Sequence, residues 1–226
     1  MKPWQHKQWC IPEVSAAFVW RMEDVLALYA EPHDPARPVV CLDELPYQLV
    51  AETRAPLPPR PGRAARYDYE YRRMGTCNLF GCFEPRAGRR QIAVTGRRTA
   101  RDFAVLMRRL VDEWYPEAAA IRVVLDNLNT HTGAALYEAF APAEARRILE
   151  RIEWHYTPKH GSWLNQMEIE WSVLSGQCLD RRIGDVATLA EEIAIWEAAR
   201  NAAGTTVEWR FTTEKARTKL ARLYPA

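Results

Sequence analysis

The chain has 226 residues, 48% of them apolar and 27% charged, enough to bury a full core as one domain or at most two small ones, and too apolar for a disordered or fibrous protein. No run approaches the roughly 18 to 20 consecutive apolar residues of a membrane span, and the opening MKPWQHKQW lacks the apolar stretch of a secretory signal, so the expectation is a soluble, cytosolic protein with no membrane partner. The net charge of +2 excludes little until it is resolved along the chain.

Residues 1–37 read as a linker and helical lead-in. A short basic segment bears Trp4 and Trp9, and in SAAFVWRMEDVLALYA the residues Phe18, Met22, Val25, Leu26 and Tyr29 recur at helical spacing until Glu31-Pro32 stops the helix. PVVCLDELPYQLVA, from Pro38, is a β-branched apolar run that predicts a strand bent at Pro46. The Pro-rich stretch 53–65 predicts a loop. ARYDYEYRR alternates Tyr67, Tyr69 and Tyr71 against charged residues, which predicts a period-two strand whose tyrosines suit sheet packing, with a base-stacking platform as the alternative.

GTCNLFGCFEP predicts a more buried strand and GRRQIAVTGRR a third, followed by a helix over TARDFAVLMRRLVDEWY capped by Thr99 or a neighbour. IRVVLDN has the uninterrupted apolar character of a strand buried inside a sheet. Helical stretches over 133–140 and 142–152, a strand at WHYTP with His155 as a packed ring, and helices over about 163–179 and 185–203 complete the chain. Clustered strands followed by alternating elements imply an α/β domain, a mixed sheet with helices on both faces.

Five cysteines, Cys10, Cys41, Cys77, Cys82 and Cys178, are odd in number and lack paired CxxC spacing. Buried thiols are expected rather than disulfides or a zinc ribbon. Residues 53–109 hold fourteen arginines, no lysine and four acids, a net +10, so the rest of the chain carries −8. An arginine block suits bidentate phosphate contacts, and a solvated basic surface is the alternative. Arg89, Arg90, Arg97 and Arg98, around the third strand, are the expected phosphate contacts, which the resemblance described below makes contacts to DNA.

Three acids carry the chemistry. In VVLDNLNTH an apolar strand runs straight into Asp126, and ligands of open α/β sheets gather at the carboxyl ends of strands; a plain Asp126-Asn127 turn is the alternative. Asp43, in VVCLDEL, lies inside a strand, where period two puts it on the face of Val39 and Cys41 and puts Glu44 opposite with Val40 and Leu42. An unpaired carboxylate there costs on the order of several kcal/mol, so Asp126 with a shared cation is its expected partner. In TPKHGSWLNQMEIEWSVL a helix from about Trp163 lines up Leu164, Met167, Trp171, Leu174 and Cys178 in one apolar stripe, with Glu168 and Glu170 on opposite flanks. Periodicity does not choose between the two glutamates.

Two aspartates and a glutamate converging on one sheet edge make an oxygen-rich site suited to Mg²⁺ or Mn²⁺. Two such ions roughly 3.5 to 4 Å apart serve in-line phosphodiester displacement, and with the arginine block this points to phosphoryl transfer on nucleic acid. Asn127, Asn129 and His131 follow Asp126 closely enough to orient a metal-bound water or touch DNA, with helix capping as the alternative for Asn129 or Thr130. Lys159 and His160 precede the glutamate helix, whose start suits a DNA phosphate and which Ser162 is placed to cap.

CLDE around Asp43, VVLDNLNTH around Asp126 and HGSWLNQMEIEWSVL around Glu168 resemble the three acidic motifs of DDE-superfamily transposases, in particular the mariner-related bacterial insertion-sequence branch. Leu164-Asn165 with a glutamate three positions after the Asn is similar to that family's LNPxE signature and selects Glu168 over Glu170, although Gln166 stands where the commoner signature has Pro. The resemblance implies an α/β ribonuclease H-like fold over 38–226, with a mixed five-stranded sheet flanked by helices. It implies Asp43, Asp126 and Glu168 as catalytic metal ligands for two Mg²⁺ ions, replaceable by Mn²⁺, and cleavage and strand transfer on double-stranded DNA at transposon ends, with a TA target and a homodimer on DNA. Family members usually carry helix-turn-helix domains ahead of the catalytic one, so a separately encoded helix-turn-helix portion is an expected partner, with action in the bacterial cytoplasm at the nucleoid. A same-fold nuclease without joining activity and a catalytically idle DNA-binding or dimerising fragment are the alternatives.

Overall fold

The computed structural model describes residues 15–224, so Trp4, Trp9 and Cys10 lie outside the described residues. At its centre is a five-stranded sheet in the order β3-β2-β1-β4-β5, built from β1 (Val39–Glu52), β2 (Tyr71–Glu84), β3 (Arg89–Thr95), β4 (Ile121–Leu125) and β5 (Ile152–Tyr156). The first three strands form an antiparallel meander, while β4 runs parallel to β1 and β5 parallel to β4. The sheet is therefore mixed, as the element order implies.

Two apolar layers cover it. Val40 and Leu42 of β1 face a cluster with Phe103, Met107 and Leu136, from α2 (Ala100–Arg109) and α3 (Ala134–Ala139), to which α4 (Pro142–Leu149) adds Ile148. Cys41 faces the other cluster, shared with α1 (Ala16–Ala30), α5 (Met167–Gln177), α6 (Val186–Ala202) and α7 (Thr213–Lys219). Phe18, Met22, Val25, Leu26 and Tyr29 of α1 are all buried, the stripe their spacing predicts. Ser15 caps α1 by accepting from the Phe18 N–H, and Thr99 with Asp102 forms a capping box on α2. Cys41, Cys77, Cys82 and Cys178 are free, buried thiols. Among the described residues, no helix is long and apolar enough to cross a membrane.

Four expectations are corrected. β1 runs through Pro46, which pairs with Asn78, and its irregularity lies at Leu49/Val50. β4 pairs only with Val39–Cys41, so at Pro46 β1 has β2 on one side alone, the position in which a strand tolerates proline. The YDYEY segment is not a strand of its own: β2 begins at Tyr71 and continues through GTCNLFGCF. Tyr67, Tyr69 and Tyr71 are exposed rather than packed on a sheet, and the Arg182 guanidinium lies over the Tyr67 and Tyr71 rings at 5.5 Å from each centroid. The glutamate helix starts at Met167, after a separate 3₁₀ turn over Ser162–Leu164.

The outer edge of β3 is covered by side chains of α6. Asn201 accepts from the Arg90 N–H through Oδ1 (2.9 Å) and donates to the Arg90 carbonyl through Nδ2 (2.8 Å), and the Glu197 carboxylate accepts from the Ile92 N–H (2.7 Å).

Candidate active site

Asp126 directly follows the last residue of β4. The parallel register pairs Val39 with Arg122, Val40 with Val123 and Cys41 with Val124; continued two steps, it sets Asp126 beside Asp43. Asp43 lies opposite Gly81 of β2. A Cβ at Gly81 would come 2.3 Å from Met167 Cε and 2.6 Å from the Trp171 ring, so the missing side chain is what lets α5 settle onto the sheet here. Asn165 ties down the start of α5: its Nδ2 donates to the Leu42 carbonyl (2.7 Å) and its Oδ1 accepts from the Met167 N–H (3.1 Å). Tyr29 adds a second tie through its hydroxyl, which donates to the Leu164 carbonyl (2.8 Å).

Asp126 and Glu168 thus come near enough for their charges to act on Asp43. Burial pushes the Asp43 carboxyl up to about 6, and the charges of Glu168 and Asp126 push the same way against the hydrogen bond from the Glu44 N–H. Glu168 is exposed at the site, whereas Glu170 is buried and pairs with Arg90 (2.8 Å) and Arg200 (3.1 Å). The two flanks of the helix therefore have separate fates, and only Glu168 remains open to a ligand.

His131 is the buried neighbour of Asp126. Its Nδ1 lies 2.6 Å from Asp126 Oδ1 and its Nε2 lies 3.0 Å from Glu44 Oε1. Burial opposes charge on the ring, but hydrogen bonds to Asp126 and Glu44 and the charges of both carboxylates outweigh it, raising the pKa to about 9. The ring then donates to both. Glu44 was missed because period two puts it on the sheet face away from Asp43; the signal for it was an acid on an apolar face, the same oddity that singled out its neighbour.

The remaining candidates separate by exposure. Arg90 is corrected: it is wholly buried beside Glu170, its Nη2 donating to the Thr205 carbonyl (2.8 Å), so it has no surface to offer DNA. Arg89, Arg97 and Arg98 are exposed. Arg89 lies over the Tyr115 ring at 5.0 Å, and Arg98 reaches towards Glu44 Oε2 at 3.7 Å. Asn127 and Asn129 are exposed beside Asp126; neither Asn129 nor Thr130 caps α3, which begins after Gly133. Lys159 and His160 are exposed, His160 in a left-handed conformation (φ 62°), but the 3₁₀ turn separates them from the start of α5. Ser162 belongs to that turn and makes no cap. His155 accepts or donates at Asp24 (2.8 Å) from a partly buried position.

Among the described residues, no three His, Cys, Asp or Glu side chains stand close enough together to clasp an ion as placed. Donor chemistry and charge nevertheless fit a hard divalent cation. The set is all carboxylate oxygen, and the mutual repulsion felt at Asp43 is what such a cation relieves.

A five-stranded mixed sheet in this strand order, flanked by helices on both faces, is the ribonuclease H-like fold. The model of the DDE superfamily endonuclease family matches residues 38–190, and the chain belongs to that family. The fold is also that of crystal structures of the Mos1 mariner transposase. A paired-end complex with Mn superposes with a TM-score of 0.59 at 17% identity, covering 96% of this chain and 66% of the other. A paired-end complex with Mg gives 0.59 at 18%, covering 98% and 67%, and the strand transfer complex 0.60 at 15%, covering 97% and 66%. The chain therefore spans about two thirds of the length of these relatives. No protein of curated function matches it.

Proposed function

We propose that this chain is the catalytic domain of an insertion-sequence transposase of the mariner-related bacterial branch, performing metal-dependent DNA cleavage and strand transfer at transposon ends. The observation that carries the reading is the convergence of Asp43, Asp126 and Glu168 on one end of the sheet while Glu170 is locked away in an ion pair. In this reading Asp43, Asp126 and Glu168 hold two Mg²⁺ ions, for which Mn²⁺ substitutes. Bound metal supplies Lewis acidity at the attacking and leaving oxygens of an in-line displacement. The protein's own part is to fix the three carboxylates from three separate elements and to align the DNA.

Exposed Arg89, Arg97 and Arg98, with Lys159 and His160, contact phosphates, and Asn127 and Asn129 approach the strand beside Asp126. The active form is a homodimer on double-stranded DNA with a TA target, end recognition residing in a helix-turn-helix portion. Mos1 structures captured as paired-end complexes and as a strand transfer complex support this assembly and this reaction.

The test is nicking of supercoiled plasmid by the purified protein in Mg²⁺ or Mn²⁺, with EDTA and Asp126→Asn as controls. Metal-dependent nicking absent from the variant is the expected result. Equal nicking by Asp126→Asn would overturn the assignment, and nicking without joining of a 3′-hydroxyl to target DNA would leave a same-fold nuclease.

A further inference from the structure

The His131 ring is 1% exposed and the Glu44 side chain 5% exposed, yet neither is part of the carboxylate set. Consecutive strand residues point to opposite faces, so the Glu44 side chain lies across the sheet from that of Asp43; one carboxylate oxygen meets His131, and Arg98 Nη1 lies 3.7 Å from the other. The ring is held on two sides, stacking on Phe103 at 4.8 Å and 29° and meeting Glu44 at its Nε2 (3.0 Å), while the main-chain carbonyl of His131 accepts from the Tyr156 hydroxyl (2.9 Å). Its free nitrogen grips Asp126 Oδ1 (2.6 Å), which the Leu128 N–H also approaches (3.4 Å). Asp126 Oδ2 makes no hydrogen bond among the described residues.

We propose that Glu44 is a positioning residue for metal binding: it anchors the His131 ring, and the ring pins Oδ1 of Asp126 so that Oδ2 is the oxygen presented to the cation. This rests on Asp126 being a metal ligand, as in the function proposed above. A carboxylate free to rotate must be ordered when metal arrives, whereas one already gripped is not, and losing such an outer partner typically costs about 10- to 100-fold in metal affinity.

The experiment is a titration of the full chain with Mn²⁺ alone, without DNA, followed by the electron paramagnetic resonance of the free ion, with thermal unfolding of each variant alongside. Glu44→Leu removes the anchor and its charge together; Glu44→Gln removes the charge but keeps an acceptor for Nε2. If Glu44 positions, Glu44→Leu weakens Mn²⁺ binding by about tenfold or more and Glu44→Gln recovers most of it. If Glu44 merely adds negative charge near the site, both variants lose alike, and that result overturns the proposal. A double variant supplies the second reading: Glu44→Ala, which also removes the anchor, combined with His131→Asn should bind no worse than His131→Asn alone, each variant being assayed below its own melting temperature. Additive losses would mean that Glu44 acts by another route. Mn²⁺ binding that survives Asp126→Asn would overturn the metal-site assignment itself, and the proposal with it.

Discussion

Gly81→Ala tests whether the contact between β2 and α5 sets the site. The added methyl would sit 2.3 Å from Met167 Cε and 2.6 Å from the Trp171 ring, against about 3.5 to 4.0 Å for an unstrained carbon contact, so roughly an ångström must be found. The Met167 thioether can swing aside, but the Trp171 indole is only 6% exposed and is wedged in the core. The helix itself has to give. Overpacking of this kind costs about 1 to 3 kcal/mol, which in a chain of this length lowers Tm by about 2 to 12 °C. Glu168 is the next residue after Met167, so the displacement also carries it away from Asp43; a misplacement near 1 Å can cost about 100-fold in rate. Thermal unfolding by circular dichroism and plasmid nicking at 25 °C, where the variant remains folded, measure the two effects separately. Wild-type values of both would refute the close approach of α5, and a lowered Tm with unchanged nicking would refute its role in placing Glu168.

The two glutamates of α5 should part company. Glu168→Gln abolishes nicking with Tm unchanged, whereas Glu170→Leu leaves Arg90 buried without its partner and loses about 3 to 5 kcal/mol of stability, read from denaturant unfolding. Asp43 gives the pH dependence. Its folded-state pKa, about 6, lies above the ordinary 3.8, so in EDTA its contribution to stability is complete below about pH 3.8 and is lost as the pH rises through about 6, on the order of 3 kcal/mol in all. Asp43→Asn should flatten that profile and melt at a higher temperature than the parent at pH 8, and an unchanged profile would refute the burial argument. Saturating Mn²⁺ should reverse the loss in the parent: at 100 times Kd it stabilises by about 2.7 kcal/mol, a rise in Tm that Asp126→Asn should lack.

Elements whose burial follows a single period were legible from the residues. The α1 stripe and the continuous apolar run of β4 are of this kind, and Asp126 stood out because β4 ends on it. Asp43 was visible as an acid that interrupts an apolar strand. Glu168 was not distinguishable from Glu170 by periodicity, because the difference lies in Arg90 and Arg200, which reach α5 from β3 and α6. The same long-range pairing misled the reading of the arginine block, where Arg90 counts towards the basic charge yet spends it inside the core. Tyr67 and Tyr69 alternate like strand residues, but among the described residues the pairing beside them is a single bridge, Leu57 with Arg66, and alternation without a ladder does not make a sheet. His131 and Glu44 stand 87 positions apart, a separation that no local pattern spans.

The covering of β3 by Asn201 and Glu197 bears on how copies of the molecule can meet. An amide and a carboxylate from α6 take up main-chain groups that a sixth strand would otherwise use, so α6 serves as a stopper on the sheet. Another chain could zip onto this margin only by first prising the helix away, together with Ile193 and Trp196, which it buries in the core. A folded copy is thereby protected from sheet-to-sheet polymerisation on this side, and self-association is directed to surfaces where side chains, rather than strands, do the recognising.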